Sequence, residues 1–185
     1  QALMTLTPQT GASNPFDGGD VGDESVPALA DVDGDGDLDA AIGEETGTLK
    51  YYQNDGDAQN PSFVAQTGAS NPFDGFDISS SDLDDSAPAF GDLDNDGDPD
   101  VAVGRSFGDM AYLENTGTAQ SPLFTRQTGS GNPFDGLAID YPSNRPALAD
   151  LDADGDLDLA VADSSGSTFS NNEPDFFENT GSAGS

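Results

Sequence analysis

The 185-residue chain contains no cysteine, no histidine and no tryptophan. Without cysteine it has no disulfide framework and no thiolate to serve as nucleophile or metal ligand. Without histidine it also lacks the commonest general base. Basic residues are nearly as scarce, four Lys and Arg against 36 Asp and Glu, for a formal charge of −32. A surface of that sign repels phosphate, which excludes nucleic acid and anionic lipid as partners. No apolar run approaches the ~20 residues that a membrane-spanning helix needs, and none of the given residues reads as a signal peptide.

What the chain has in abundance is aspartate, and its placement is periodic. The nonapeptide DVDGDGDLD runs from Asp31 to Asp39, DLDNDGDPD from Asp92 to Asp100 and DLDADGDLD from Asp150 to Asp158. Each loop carries carboxylates at positions 1, 3, 5, 7 and 9, with a glycine at position 6 for the sharp turn. Calcium is a hard cation that takes about 6–8 oxygen ligands, and alternate positions of a tight loop can aim their oxygens at one point. Left bare, carboxylates a few Å apart repel by about 1 kcal/mol per pair even in water. The pattern therefore predicts one calcium ion per loop, about three per chain. An EF-hand is excluded, because its loop closes with a bidentate Glu at position 12, where this chain has Ile42, Val103 or Val161.

The residues after each loop alternate in size. Leu38, Ala40 and Ile42 recur as Pro99, Val101 and Val103 and as Leu157, Leu159 and Val161, with Ala41, Ala102 or Ala160 between the last two. A period of two predicts a β-strand, with bulky side chains on one face and alanine on the other. The loops begin at 31, 92 and 150, so the periods are 61 and 58 residues. Before each loop stands Pro27-Ala28-Leu29, Pro88-Ala89-Phe90 or Pro146-Ala147-Leu148. After the post-loop strand comes a segment ending in Asn54, Asn115 or Asn179, and a further segment holds Phe63 or Phe124. The loops QTGASNPFDG and QTGSGNPFDG follow, rich in turn residues. Four short strands per repeat result, which reads as a blade of a β-propeller. The predicted fold is all-β, with three blades of four antiparallel strands: blade 1 over 10–70, blade 2 over 71–131 and blade 3 over 132–185.

The stretches beginning PALADVDGDGDLDAAIG, PAFGDLDNDGDPDVAVG and PALADLDADGDLDLAVA resemble FG-GAP or VCBS-type repeats, the blades of integrin alpha-subunit propellers and many bacterial surface proteins. The resemblance implies calcium held by loop positions 1, 3, 5 and 9 and by the backbone carbonyl of position 7. In this sequence those carboxylates are Asp31, Asp33, Asp35 and Asp39; Asp92, Asp94, Asp96 and Asp100; and Asp150, Asp152, Asp154 and Asp158. The carbonyls belong to Asp37, Asp98 and Asp156. The third repeat departs by placing Ala162-Asp163 where the others have Gly43 and Gly104, and by six extra residues, expected to lengthen a loop around Ser164 to Asn172. It also lacks an outer strand, whereas residues 1–9 form an orphan strand of the outer type.

Three blades cannot close a ring, since known rings run from about four to eight. Two copies that exchange residues 3–9 would give six blades in a homodimer with no exposed sheet edge. The alternative is a fragment of a longer propeller, and Gln1 at the first position fits processing or excision. With neither His nor Cys, no enzymatic activity is expected, and Asp82, Asp84 and Asp85 read as a solvated acidic loop. Phe16, Phe73 and Phe134 of the NPFDG loops read as packing wedges between blades. The expected function is non-enzymatic recognition or adhesion, outside the cell or on its surface, where calcium is plentiful, with a protein or glycan as ligand. A calcium-dependent lectin binding sugars between blades is the sharper version, weakened by the absence of Trp. An ancillary domain of a secreted hydrolase or lyase is the other reading.

Overall fold

The computed structural model describes residues 6–57, 59–78, 85–106, 110–137, 139, 144–162 and 174–181. Among them there is no α-helix, and the strands form three antiparallel sheets in chain order. Sheet 1 comprises β1 (Val26–Ala30), β2 (Asp39–Gly43), β3 (Leu49–Asn54) and β4 (Phe63–Gln66). Sheet 2 comprises β5 (Ser86–Gly91), β6 (Asp100–Arg105), β7 (Ala111–Asn115) and β8 (Phe124–Gln127). Sheet 3 has β9 (Arg145–Ala149), β10 (Asp158–Ala162) and β11 (Asp175–Phe177), with no fourth strand among the described residues. Each sheet is a simple meander. The orphan strand expected at residues 3–9 lies partly outside the described residues, and residues 6–9 carry no strand in this chain. The expected loop around 164–172 and the acidic pair Asp82 and Asp84 also lie outside them.

The first strand of every sheet carries a proline, Pro27, Pro88 or Pro146, paired with Ile42, Val103 or Val161. Proline cannot donate to a ladder, so it belongs on an edge, and these three strands are the inner edges of their sheets. β1 packs on β5 and β5 packs on β9, the arrangement of propeller blades set side by side by their inner strands. The alternation after each loop sorts as expected. Val101 and Val103 face sheet 1, in a cluster with Val32, Tyr51 and Phe73, while Ala102 faces sheet 3 with Phe134, Leu159 and Val161. Both faces of β2 and β6 are therefore buried.

Two junctions join the three blades, and they are built alike. The Ser86 N–H donates to the Glu44 carbonyl at 3.1 Å, and the Asn144 N–H to the Arg105 carbonyl at 2.9 Å. Gly104 explains how close these backbones come: a Cβ placed there would lie 1.9 Å from the Asn144 carbonyl oxygen. Phe73 and Phe134 wedge between blades where expected, whereas among the described residues Phe16 packs on sheet 1 alone. Phe73 meets Tyr51 of sheet 1 edge to face at 6.0 Å and Phe124 of sheet 2 at 4.7 Å. Phe134 meets Tyr112 at 6.2 Å, and Phe16 stacks on Phe63 at 4.2 Å.

Candidate metal centre

The nine-residue loops join β1 to β2, β5 to β6 and β9 to β10, and all three fold by the same set of local hydrogen bonds. In the first loop the Asp35 N–H donates to Asp33 Oδ1 (3.3 Å), Gly36 N–H to Asp31 Oδ2 (3.0 Å) and Asp37 N–H to Asp35 Oδ1 (2.9 Å). The second loop repeats these at 3.1, 3.0 and 3.0 Å through Asp94, Asp92 and Asp96. The third repeats them at 3.1, 3.2 and 3.0 Å through Asp152, Asp150 and Asp154. Backbone amides thus fix the carboxylates at positions 1, 3 and 5, and each keeps oxygen lone pairs for something else.

The carboxylates converge. One oxygen from each of Asp31, Asp33 and Asp39 lies within 4.8 Å of the others, and the same holds for Asp92, Asp94 and Asp96 and for Asp150, Asp152 and Asp154. Asp31 Oδ1 is buried with no hydrogen-bond partner, as is Asp156 Oδ1 in the third loop. An orphaned, buried carboxylate oxygen beside further carboxylates is costly unless a cation neutralises it. The donor set is all oxygen, which suits a hard cation such as calcium. The residues present fit that ion.

Position 9 has a second role that the spacing did not reveal. Asp39, Asp100 and Asp158 are fully buried. Asp100 Oδ2 accepts from the Leu93 N–H (3.0 Å) and the Tyr112 hydroxyl (3.0 Å), and Oδ1 from the Asn115 N–H (2.8 Å). Asp39 makes the same bonds with Val32, Tyr51 and Asn54. Asp158 bonds to Leu151 and Asn179, but Phe176 stands where the other blades have a tyrosine. The asparagine side chain continues the chain of bonds: Asn54 Oδ1 accepts from Gly56 and Ser62, and Asn115 Oδ1 from Gly117 and Leu123. The asparagine that ends each third segment was the sequence signal for this link.

Burial pushes the Asp100 carboxyl up to about 6, against the opposing pull of its hydrogen bonds from Asn115, Leu93 and Tyr112. Burial likewise raises Asp39 and Asp94 above the ordinary carboxylate range. Desolvation also raises Asp152, with the charges of its loop neighbours adding to it. The phenols of Tyr51 and Tyr112 are held well above their usual value, by burial first and then by Asp39 and Asp100.

Position 4 escaped the sequence reading too. Gly34, Asn95 and Ala153 all sit in the left-handed region, at φ 70, 62 and 66. Gly34 also lies against the β7–β8 hairpin of the next blade, where a Cβ would come within 2.8 Å of the Ala119 backbone. At the second junction a niche of about 540 Å³ opens beside the loop, lined by Asp94, Asn95, Tyr112, Glu114 and Asn179 among others.

Blades side by side on their inner strands, each carrying one acidic loop between its first two strands, define an all-β repeat module of the propeller kind. The chain belongs to the FG-GAP-like repeat family, whose model matches residues 31–103 and again 92–161, together more than half of the 185 residues. Searches of the curated proteins and of the solved structures returned no significant match.

Proposed function

We propose that the chain is a calcium-binding module for non-enzymatic recognition or adhesion outside the cell, in which calcium holds each blade's loop in shape. The observation that carries this is the triply repeated convergence of carboxylates within 4.8 Å, with Asp31 Oδ1 buried and unpaired. The residues that would hold the ions are those at positions 1, 3, 5 and 9, with the carbonyls of Asp37, Asp98 and Asp156. At Asp39 and Asp100 the remaining lone pair of Oδ1 is the one available, while Asp158 keeps one on each oxygen. The ion supplies charge neutralisation and cross-links the loop. Loops of this exposed kind fill where calcium approaches millimolar, which favours a secreted or cell-surface setting. Among the described residues no helix is long and apolar enough to cross a membrane. Without His or Cys, the non-catalytic reading is preferred.

A glycan is the second ligand class, favoured by the niche beside Asp94, which offers carboxylates and amides at one junction. Calcium titration of the intact chain should give three ions, and Asp94→Ala should give two. At a free concentration 100 times the dissociation constant each site adds about 2.7 kcal/mol, so three add roughly 8. Identical melting curves in EDTA and in millimolar calcium would sink the calcium reading. A glycan array blank in both conditions would sink the lectin version.

A further inference from the structure

The chain carries two open faces whose residues match each other. At the internal junctions the residue at loop position 2 is covered by the following blade: Val32 is fully buried and Leu93 packs into the second core cluster. Its counterpart on the trailing side of sheet 3, Leu151, is 60% exposed. The residue after Pro-Ala in the first strand is covered by the preceding blade in Phe90 and Leu148, yet its counterpart on the leading side of sheet 1, Leu29, is 54% exposed. Each open face displays half of a junction that the chain forms twice elsewhere.

The polar and aromatic contacts of the junction divide in the same way. The Asn71 side-chain amide donates to the Leu49 carbonyl (3.2 Å) and that of Asn132 to the Met110 carbonyl (3.0 Å). The third asparagine, Asn14, has no such acceptor among the described residues, and the third carbonyl in sequence is that of Pro174. Phe73 meets Tyr51 and Phe134 meets Tyr112, both edge to face. The third pair would be Phe16 with Phe176, and Phe176 is 53% exposed.

Residues 6–14 are already shaped for this. Thr10 has φ −141 and ψ 156 before a single 3-10 turn, as Thr67 (−139, 157) and Thr128 (−143, 158) have after β4 and β8. Leu6 aligns with Phe63 and Phe124, and is 80% exposed. In sheet 1, Asn54 pairs with Phe63 and Tyr51 with Gln66, so the same register sets Leu6 opposite Asn179 and Gln9 opposite Phe176. The Asp55 N–H donates to the Ser62 carbonyl, and antiparallel bonds alternate, which turns the amide of Ala65 outward. Pro8 takes the position of Ala65, so its missing N–H costs no ladder bond.

We infer that a second copy of this chain covers both faces: residues 6–9 of one copy form the fourth strand on β11 of the other, and Phe16 seats on Phe176. Two copies make six blades, within the range of about four to eight that rings use, whereas three copies would make nine. Ala162 stands where Gly43 and Gly104 allow close approach, so the junction between copies is wider at that corner, and Ala162→Gly tightens the pair.

Light scattering of the intact chain in calcium at physiological salt should return twice 18.9 kDa. A monomer would overturn the proposal, and a ladder of larger species would overturn closure at two copies. Because Leu151 and Phe176 are exposed in the single chain, Leu151→Glu with Phe176→Glu should leave circular dichroism unchanged while weakening association at least tenfold. Unchanged association would refute the assigned face. The chain has no native cysteine, so Thr7→Cys with Glu178→Cys reports the register directly. A disulfide-linked dimer supports strand exchange. A disulfide within one chain, or none, overturns it.

Discussion

Stability should depend on pH in opposite directions with and without calcium, and Asp100 sets the scale. Its folded-state value near 6, against 3.8 for the free side chain, corresponds to about 3 kcal/mol as a ceiling, at roughly 1.4 kcal/mol per tenfold change. The sign follows from proton binding. The folded chain holds this proton more tightly than the unfolded chain, so between about pH 4 and 6 acidification stabilises the metal-free fold, and that gain is lost as pH rises through the folded value. Asp39, Asp94 and Asp152 are raised too and act in the same direction. Partial neutralisation of the −32 charge adds to it. In calcium the proton competes with the ion for the same carboxylates, so acidification destabilises. For a chain of this size 1 kcal/mol moves the melting temperature by about 2–4 °C. Between pH 7 and pH 5 a little under half of that ceiling is realised, so scanning calorimetry in EDTA should show a melting temperature about 3–5 °C higher at pH 5 than at pH 7, and the reverse order in millimolar calcium. Asp100→Asn should flatten the EDTA profile between pH 4 and 6. A metal-free melting temperature that climbs from pH 5 to 7, or a variant as pH-sensitive as the parent, would refute the reasoning.

Two further outcomes test the backbone. Ala153 at φ 66 carries the left-handed strain that glycine avoids, so Ala153→Gly should stabilise by about 1 kcal/mol in urea denaturation, and a loss of stability would count against the strain. Gly104→Ala drives a methyl group into the Asn144 carbonyl and should cost about 2 kcal/mol or more; a variant with unchanged melting would show that the blades separate freely there.

The strand alternation, the blade count and the loop positions were legible because each is a short-range pattern repeated three times. Val101 and Val103 on one face and Ala102 on the other follow from period two alone. The wedge role of Phe73 and Phe134 was also readable, since an apolar ring inside a run of turn residues needs cover. What sequence spacing could not separate were two duties of one residue. Position 9 looks like any other loop aspartate, yet Asp39 and Asp100 are buried and anchored by Tyr51 and Tyr112, twelve residues away in sequence and across the sheet. The left-handed position 4 was hidden because three different residues fill it, two of them outside the usual glycine.

The bonds described above run from a loop outward through its own blade and then sideways to its neighbour. Asp100 holds Asn115, Asn115 shapes the β7–β8 hairpin, and that hairpin presses Ala119 against Gly34 in the loop of the preceding blade. The first loop is therefore gripped from two repeats at once, by Asn54 of its own third strand and by the next blade's hairpin. The sequence repeat and the mechanical unit are out of phase. Cutting the chain after the first repeat would take one jaw of the clamp from that loop, so blade 1 keeps the full support of its loop only while blade 2 stays attached.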